Sequence, residues 1–155
     1  MADEGRAGLT DSIEVNADPE TVMGVILEYE KYPAWMTNIK EIEVLERDGE
    51  QRGTKVKLKA KTVFTEINLV VRTSYDPGGN RLDSEVIEGD VRDCRASYNL
   101  EPLDNHRTRV TYHYEVTYSL PKALRGPLSI RLTKQVNKLM VKSALQDLKK
   151  RVESL

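Results

Sequence analysis

An α+β fold, an antiparallel sheet with a long terminal helix, is what this sequence predicts, and three observations predict it. A helix-spaced segment from Asp18 to about Glu30 comes early, and from Ile39 to Ser119 apolar residues recur at every second position instead. After Pro121 the helical spacing returns and runs to Val152. The strand-like runs are joined by turns too short to hold crossover helices, so neighbouring strands must run antiparallel.

The elements follow in order. Residues 1–8 read as a flexible tail, and Leu9 to Val15 as a first strand, with Ile13 and Val15 alternating against Glu14. Asp18-Pro19 is a helix N-cap followed by proline at the first helical position, where its missing N–H costs nothing. Val22, Val25, Ile26 and Tyr29 share one face of the helix that follows, and Pro33 is expected to turn Tyr32 out of the helical region, placing a break before Trp35. IKEIEVLE, TKVKLKAK, VFTEINLVVRTSY, RLDSEVIE, DCRASYNLE and TRVTYHYEVTYSL are six successive strands, punctuated by Asp48-Gly49, by DPGGN at 76–80 and by Asp104-Asn105. In the second of these, Thr54, Val56, Leu58 and Ala60 alternate with four lysines, the pattern of a sheet with one covered face and one wet face. The last helix carries two apolar stripes: Leu128, Leu132, Val136 and Leu139 on one side, and Ile130, Val141, Leu145, Leu148 and Val152 roughly opposite.

Bulk composition narrows the function classes. A chain of 155 residues suits one domain, and 39% hydrophobic with 32% charged residues describes a soluble globular protein. A net charge of -1 supplies no excess of cations for a phosphate backbone, so nucleic acid is not an expected partner. Cys94 is the single cysteine, which rules out an intramolecular disulfide and suits a reducing cytoplasm. No segment approaches the ~20 apolar residues of a membrane span, so any membrane contact is expected to be peripheral.

The sheet's apolar parity gathers Val56, Leu58, Ala60, Ile67, Leu69, Val71, Cys94, Ala96, Tyr98, Leu100, Val110, Tyr112, Tyr114, Val116 and Tyr118 on one face. Tyrosines thus cluster on adjoining strands, offering flat apolar surfaces and hydroxyls that need partners when buried. Catalytic patterns are sparse. His113 alternates with Tyr112 and Tyr114 and should point outward, His106 lies in a turn, and Arg72 has the outer parity. Glu88 reads as a solvated strand-end carboxylate. No GxGxxG, P-loop or GxSxG occurs, and no cofactor or metal site is expected.

The order of elements, together with VNADPETVMGVILEYEKYPAW at 15–35, IKEIEVLERDG at 39–49, SYNLEPL at 97–103, TRVTYHYEV at 108–116 and the Leu-Pro at 120–121, resembles the START and birch-pollen-allergen superfamily. Within it the chain looks most like the polyketide cyclase/dehydrase and lipid-transport group. The likeness runs from about Leu9 to Val152. It implies a helix-grip fold: a curved antiparallel sheet of about seven strands wrapped around the long C-terminal helix, with a short helical pair after the first strand. It also implies a cavity between sheet and helix for a small hydrophobic or amphipathic molecule such as a lipid, quinone or polyketide. In such a cavity the expected lining is Trp35, Met36, Leu58, Leu69, Tyr98, Tyr112, Tyr114, Leu132, Val136 and Leu139. Trp35 and Met36 would stand where the fold closes one end of the grip, although plain packing explains Trp35 equally well. Three functions remain open: ligand binding or transport, a polyketide cyclase, aromatase or dehydratase, and a homodimer or protein-interaction module using Val141, Leu145, Leu148 and Val152 on the terminal helix.

Overall fold

The computed structural model describes residues 5–61, 66–90, 94–104, 106–118 and 127–155, with side chains at all of these except 5–7, 116–118, 127–134 and 136. Seven strands form a single antiparallel sheet: β1 (Gly5–Val15), β2 (Ile39–Arg47), β3 (Gly53–Lys61), β4 (Glu66–Tyr75), β5 (Arg81–Gly89), β6 (Arg95–Asp104) and β7 (Arg107–Tyr118). Their spatial order is β1-β7-β6-β5-β4-β3-β2, a six-strand meander whose last strand receives β1 along its free edge. β1 starts at Gly5, opposite Tyr118, so residues 5–8 belong to the sheet rather than to the expected tail.

Two features curve the sheet. Register shifts in the β2–β3 pair and between Val70 and Val71 insert extra residues that bend the strands. At Gly89, φ is +130° and a Cβ would lie 2.2 Å from the Asn68 carbonyl oxygen, so only glycine fits where β5 closes on β4. The lysine alternation of β3 holds: Val56 is fully buried while Lys57 and Lys61 are exposed, and Lys55 and Lys59 pair with Glu46 and Glu41 on β2. Arg72 and Glu88 are exposed, as their parity and position indicated.

The helix α1 (Pro19–Leu27) begins as expected, with the Asp18 carboxylate accepting the Thr21 N–H at 2.8 Å. Those bonds hold the Asp18 carboxyl below its ordinary pKa. Its end differs from expectation. The break falls at Glu28 (φ −84°, ψ 64°), a 3-10 turn follows at Tyr29–Lys31, and a second helix α2 (Tyr32–Trp35) starts at the residue expected to leave the helical region. Tyr32 adopts φ −53°, ψ −42° despite the proline after it. The reason is position: at the start of a helix Pro33 removes no needed N–H, and burial of the Tyr32 ring, with its hydroxyl donating to the Ile26 carbonyl, outweighs the local bias.

The helix α3 (Pro127–Glu153) lies against β1 and α1. Val141, Leu145, Leu148 and Val152 are at most 4% exposed and pack with Val15, Val22, Ile26, Leu100 and Val110. Each such aliphatic residue taken from water stabilises the fold by about 1.5–3 kcal/mol. The alternative in which this stripe faces a partner therefore falls, because the chain's own sheet and α1 cover it. Polar contacts fix the same end: Lys149 donates to the Glu14 carbonyl at 2.6 Å, and the Glu153 carboxylate accepts from Lys149 and from the Asn16 N–H, both at 2.9 Å. Leu128, Leu132 and Val136, of the other stripe, lie outside the described side chains. Its described member, Leu139, is 66% exposed.

Candidate ligand-binding site

The antiparallel register of β6 and β7 sets Tyr98 opposite Tyr112 and Ala96 opposite Tyr114. With a two-residue repeat, all three tyrosines stand on the core-facing side of the sheet. The Tyr98 and Tyr112 rings stack at 4.6 Å between centroids and 27° between planes, and Tyr114 follows at 6.5 Å from Tyr112. These are the three candidate tyrosines, and the structure does bring them together.

Surrounding protein desolvates these phenols and raises their pKa well above the usual tyrosine value, with the Asp147 carboxylate of α3 adding to the shift at Tyr98. All three remain neutral hydrogen-bond donors at physiological pH. Yet all three keep accessible surface. Each ring is thus largely enclosed by its neighbours, packs against the core, and keeps part of its surface open. Tyr114 shares its hydroxyl with the Cys94 thiol, whose pKa burial pushes up, leaving a protonated and unreactive cysteine. Tyr98 and Tyr112 are different: among the described residues neither hydroxyl has a hydrogen-bond partner.

A second tyrosine group adjoins the first. The Tyr29 and Tyr75 hydroxyls lie 2.8 Å apart, and Tyr75 donates to the Gly53 carbonyl. The Tyr29 and Tyr32 rings are 5.3 Å apart, and Trp35 meets Tyr32 edge-on at 5.2 Å. The partly buried Trp35 therefore packs through one edge on a core tyrosine. With Pro33, Met36 and Ile39 it also lines an open groove of about 560 Å³ at the α2–β2 junction. The packing role is thus seen directly, while the groove draws its lining from residues between 33 and 41 alone, with none from α3. Leu58 and Leu69 are direct cross-strand partners on β3 and β4, both partly buried.

Leu139 does not join these residues. It lies about 200° around the helix from Val141, so packing the Val141 stripe on the sheet turns Leu139 away. The helix edge beside the buried stripe instead carries Met140, Ala144 and Asp147, all partly buried. Sequence reasoning missed them. It also missed Asp147 as the acceptor for the Thr37 N–H at 2.8 Å, a bond that ties the segment after α2 to α3. Nothing in the local pattern marks Asp147 beyond its position between Leu145 and Leu148. Tyr75, also missed, continues the Leu69–Val71–Thr73 parity of β4 and was legible by extending that alternation up to the turn.

Acid–base and metal chemistry is thinly represented here. His113 is on the outer side, with Nδ1 2.6 Å from the Thr10 hydroxyl and Nε2 3.2 Å from Glu115, and His106 is exposed. Among the described residues no three His, Cys, Asp or Glu side chains converge as a metal site would require, and no helix is long and apolar enough to cross a membrane.

Residues 15–141 match the family model for polyketide cyclase/dehydrase and lipid transport. No curated protein matches the chain. Among solved structures, a START superfamily protein from Mycobacterium smegmatis superposes with a TM-score of 0.82 at 20% identity, over 95% of this chain and 97% of that one. The protein TTHA0849 from Thermus thermophilus gives 0.83 at 20% identity, over 96% and 98%. The ZhuI aromatase/cyclase from Streptomyces sp. R1128 gives 0.81 at 16% identity, over 96% and 94%. At these identities the likeness speaks for the fold, and it makes the sheet and α3 a helix-grip.

Proposed function

The chain belongs to the polyketide cyclase/dehydrase and lipid transport family, and from that premise we propose that it binds or transports a small hydrophobic or amphipathic molecule held between the sheet and α3. The observation that carries this reading is the Tyr98–Tyr112 pair: two stacked, desolvated phenols with accessible surface and no partner for either hydroxyl among the described residues. Accessible surface lets water meet such hydroxyls in the empty protein, and a guest carrying carbonyl or hydroxyl oxygens takes the water's place. The ring faces, with Met140 and Ala144 from α3 and Leu58 and Leu69 from the sheet, supply the apolar contact, and Trp35 and Met36 close the α2 end. Native mass spectrometry of freshly purified protein, followed by extraction, tests this. A bound or exchangeable guest is expected, lost in the Tyr98→Phe/Tyr112→Phe double variant. Failure of the wild type to retain any guest, or to take up a fatty acid, a naphthoquinone or a polycyclic phenol, overturns the reading.

One observation favours a second reading as a cyclase or dehydratase. Two neutral phenols side by side can donate to one developing enolate oxygen, and donors already in place need no reorganisation when charge appears. Asp147, close enough to Tyr98 to influence its ionisation, is then the carboxylate for proton transfer. Turnover of a poly-β-ketone thioester, lost in Asp147→Asn while guest binding persists, would separate this from carriage alone.

A further inference from the structure

The charge of this chain is not evenly spread. From Val116 to Gln146 there are six Lys or Arg residues and no Asp or Glu, in a protein whose net charge is -1. The remainder of the molecule is therefore acidic, and the cations are concentrated on the segment leading into α3 and on its first two-thirds. Lys138 and Lys142 are exposed, and among the described residues neither makes an ion pair. Between them stands Leu139, at 66% the most exposed large hydrophobic residue of the described part of any helix.

Helical geometry makes this a pattern. At about 100° per residue, Lys138 and Lys142 flank the Val141–Leu145 stripe that holds α3 to β1 and α1, on the side opposite Ala144. Leu139 lies beyond them, further out from the stripe. A helix with its own core contact satisfied, an aliphatic residue turned outward and unneutralised cations beside it has the design of an interfacial helix. The aliphatic side chain reaches the acyl boundary, while lysine stems let the ammonium groups stay at phosphate level. The exposed residues around Leu139 are Gln135, Lys138, Lys142 and Gln146, without the aromatic or arginine anchors typical of a protein hot spot.

We propose that the outward face of α3 around Leu139 docks on an anionic lipid bilayer. The attraction is of lysine for lipid phosphate, with Leu139 inserting, and the acidic remainder of the molecule orients the protein with this face towards the membrane. The inference goes beyond ligand binding and does not depend on it, since docking needs no occupant in the grip.

Co-sedimentation with vesicles tests it, using protein stripped of any guest. Binding is expected to vesicles of phosphatidylcholine mixed with phosphatidylglycerol, to fall steeply as salt is raised, and to be absent with phosphatidylcholine alone. The Lys138→Gln/Lys142→Gln variant is expected to partition about 30-fold more weakly, from about 1 kcal/mol per cation. Leu139→Asp is expected to abolish binding without changing the melting temperature or guest retention. Absence of wild-type binding, equal binding to neutral vesicles, or variants that bind like the wild type would each overturn the proposal. So would a dimer of the free protein that Leu139→Asp converts to monomer, because the face would then be an interface between copies. Vesicle binding by a protein that retains no guest would leave this proposal standing while the ligand-binding reading falls.

Discussion

Tyr98 and Tyr112 face each other across the β6–β7 register with their rings 4.6 Å apart, and neither hydroxyl finds a protein acceptor among the described residues. Removing an unpartnered hydroxyl from a desolvated site forfeits no hydrogen bond. Tyr98→Phe and Tyr112→Phe are therefore expected to change stability by no more than about 0.5 kcal/mol, or to raise it slightly, while weakening retention of an oxygen-bearing guest. Urea unfolding alongside native mass spectrometry reads both. A loss of about 2 kcal/mol or more, on the order of a broken buried network, would show that the hydroxyls serve the fold.

Tyr75 should behave in the opposite way. Its hydroxyl donates to the Gly53 carbonyl and lies 2.8 Å from that of Tyr29, and the Arg52 guanidinium stacks 4.5 Å above its ring. Tyr75→Phe strands the Gly53 acceptor and takes from Tyr29 its hydroxyl neighbour, whereas Tyr29→Phe leaves the Tyr75–Gly53 bond in place and loses only the Tyr29 contacts with Tyr75 and Thr73. Tyr75→Phe is expected to cost about 1–3 kcal/mol and Tyr29→Phe distinctly less. Gly53→Ala should be comparably harmful, since its Cβ would come within 3.0 Å of the buried Tyr29 ring. Thermal or urea unfolding of the three variants gives the order.

The meander was legible because period-two alternation and turn residues are local signals, as in the alternation from Thr54 to Lys61 and the Asp48-Gly49 turn before it. The tyrosine pair was legible for the same reason: Tyr98, Tyr112 and Tyr114 share a parity, and adjoining strands bring like parities together. The misreadings have non-local causes. Tyr32 obeys its burial and its bond to Ile26 rather than the bias of the following proline. For α3, two apolar stripes of similar strength gave the sequence no means of deciding which one meets the sheet. That choice depends on how Val141 and Leu145 meet β1 and α1, residues more than a hundred positions away in the chain; it sends Leu139 outward and leaves Met140, Ala144 and Asp147 partly buried, with Asp147 near enough to Tyr98 to affect its ionisation.

Alkaline pH should unfold the protein through its tyrosines. Six of the seven, Tyr29, Tyr32, Tyr75, Tyr98, Tyr112 and Tyr114, have raised pKa values in the folded state, with burial the leading cause in each. Below the unfolded value of about 10 both states are protonated and the folded state loses nothing. Above it the unfolded chain releases protons that the folded chain keeps, so stability falls as pH rises, by up to about 1.4 kcal/mol per pH unit for each fully shielded phenol. Tyrosinate absorbance is expected to appear together with loss of circular dichroism, in one cooperative step. A gradual titration at about pH 10 with the fold intact would show the phenols to be open to solvent.

The bond from the Thr37 N–H to the Asp147 carboxylate, 2.8 Å long, joins the end of α2 to α3, and Trp35 stands two residues before it. As the only tryptophan, Trp35 reports on this junction by its fluorescence. Asp147→Ala removes the acceptor and is expected to shift Trp35 emission to the red and speed guest release, while Asp147→Asn, which keeps a carbonyl oxygen in place, should do little of either. Emission unchanged in Asp147→Ala would mean that other contacts hold the segment.

Trp35 itself then distinguishes wall from core. Its ring meets Tyr32 edge-on at 5.2 Å, but it remains only partly buried and borders the groove beside Met36. Truncating a fully buried aromatic costs about 3–5 kcal/mol, so a partly exposed one packed through an edge should cost about 1–2. If the ring also closes the end of the grip, Trp35→Ala should shorten guest residence by a larger factor than this stability loss explains, and Trp35→Phe should restore the stability more fully than the residence time. Dissociation rates measured beside urea unfolding would give the two effects separately. Equal proportional losses in both variants would assign Trp35 to the core alone, because a residue that only supports the fold can affect the guest only as far as it destabilises the protein.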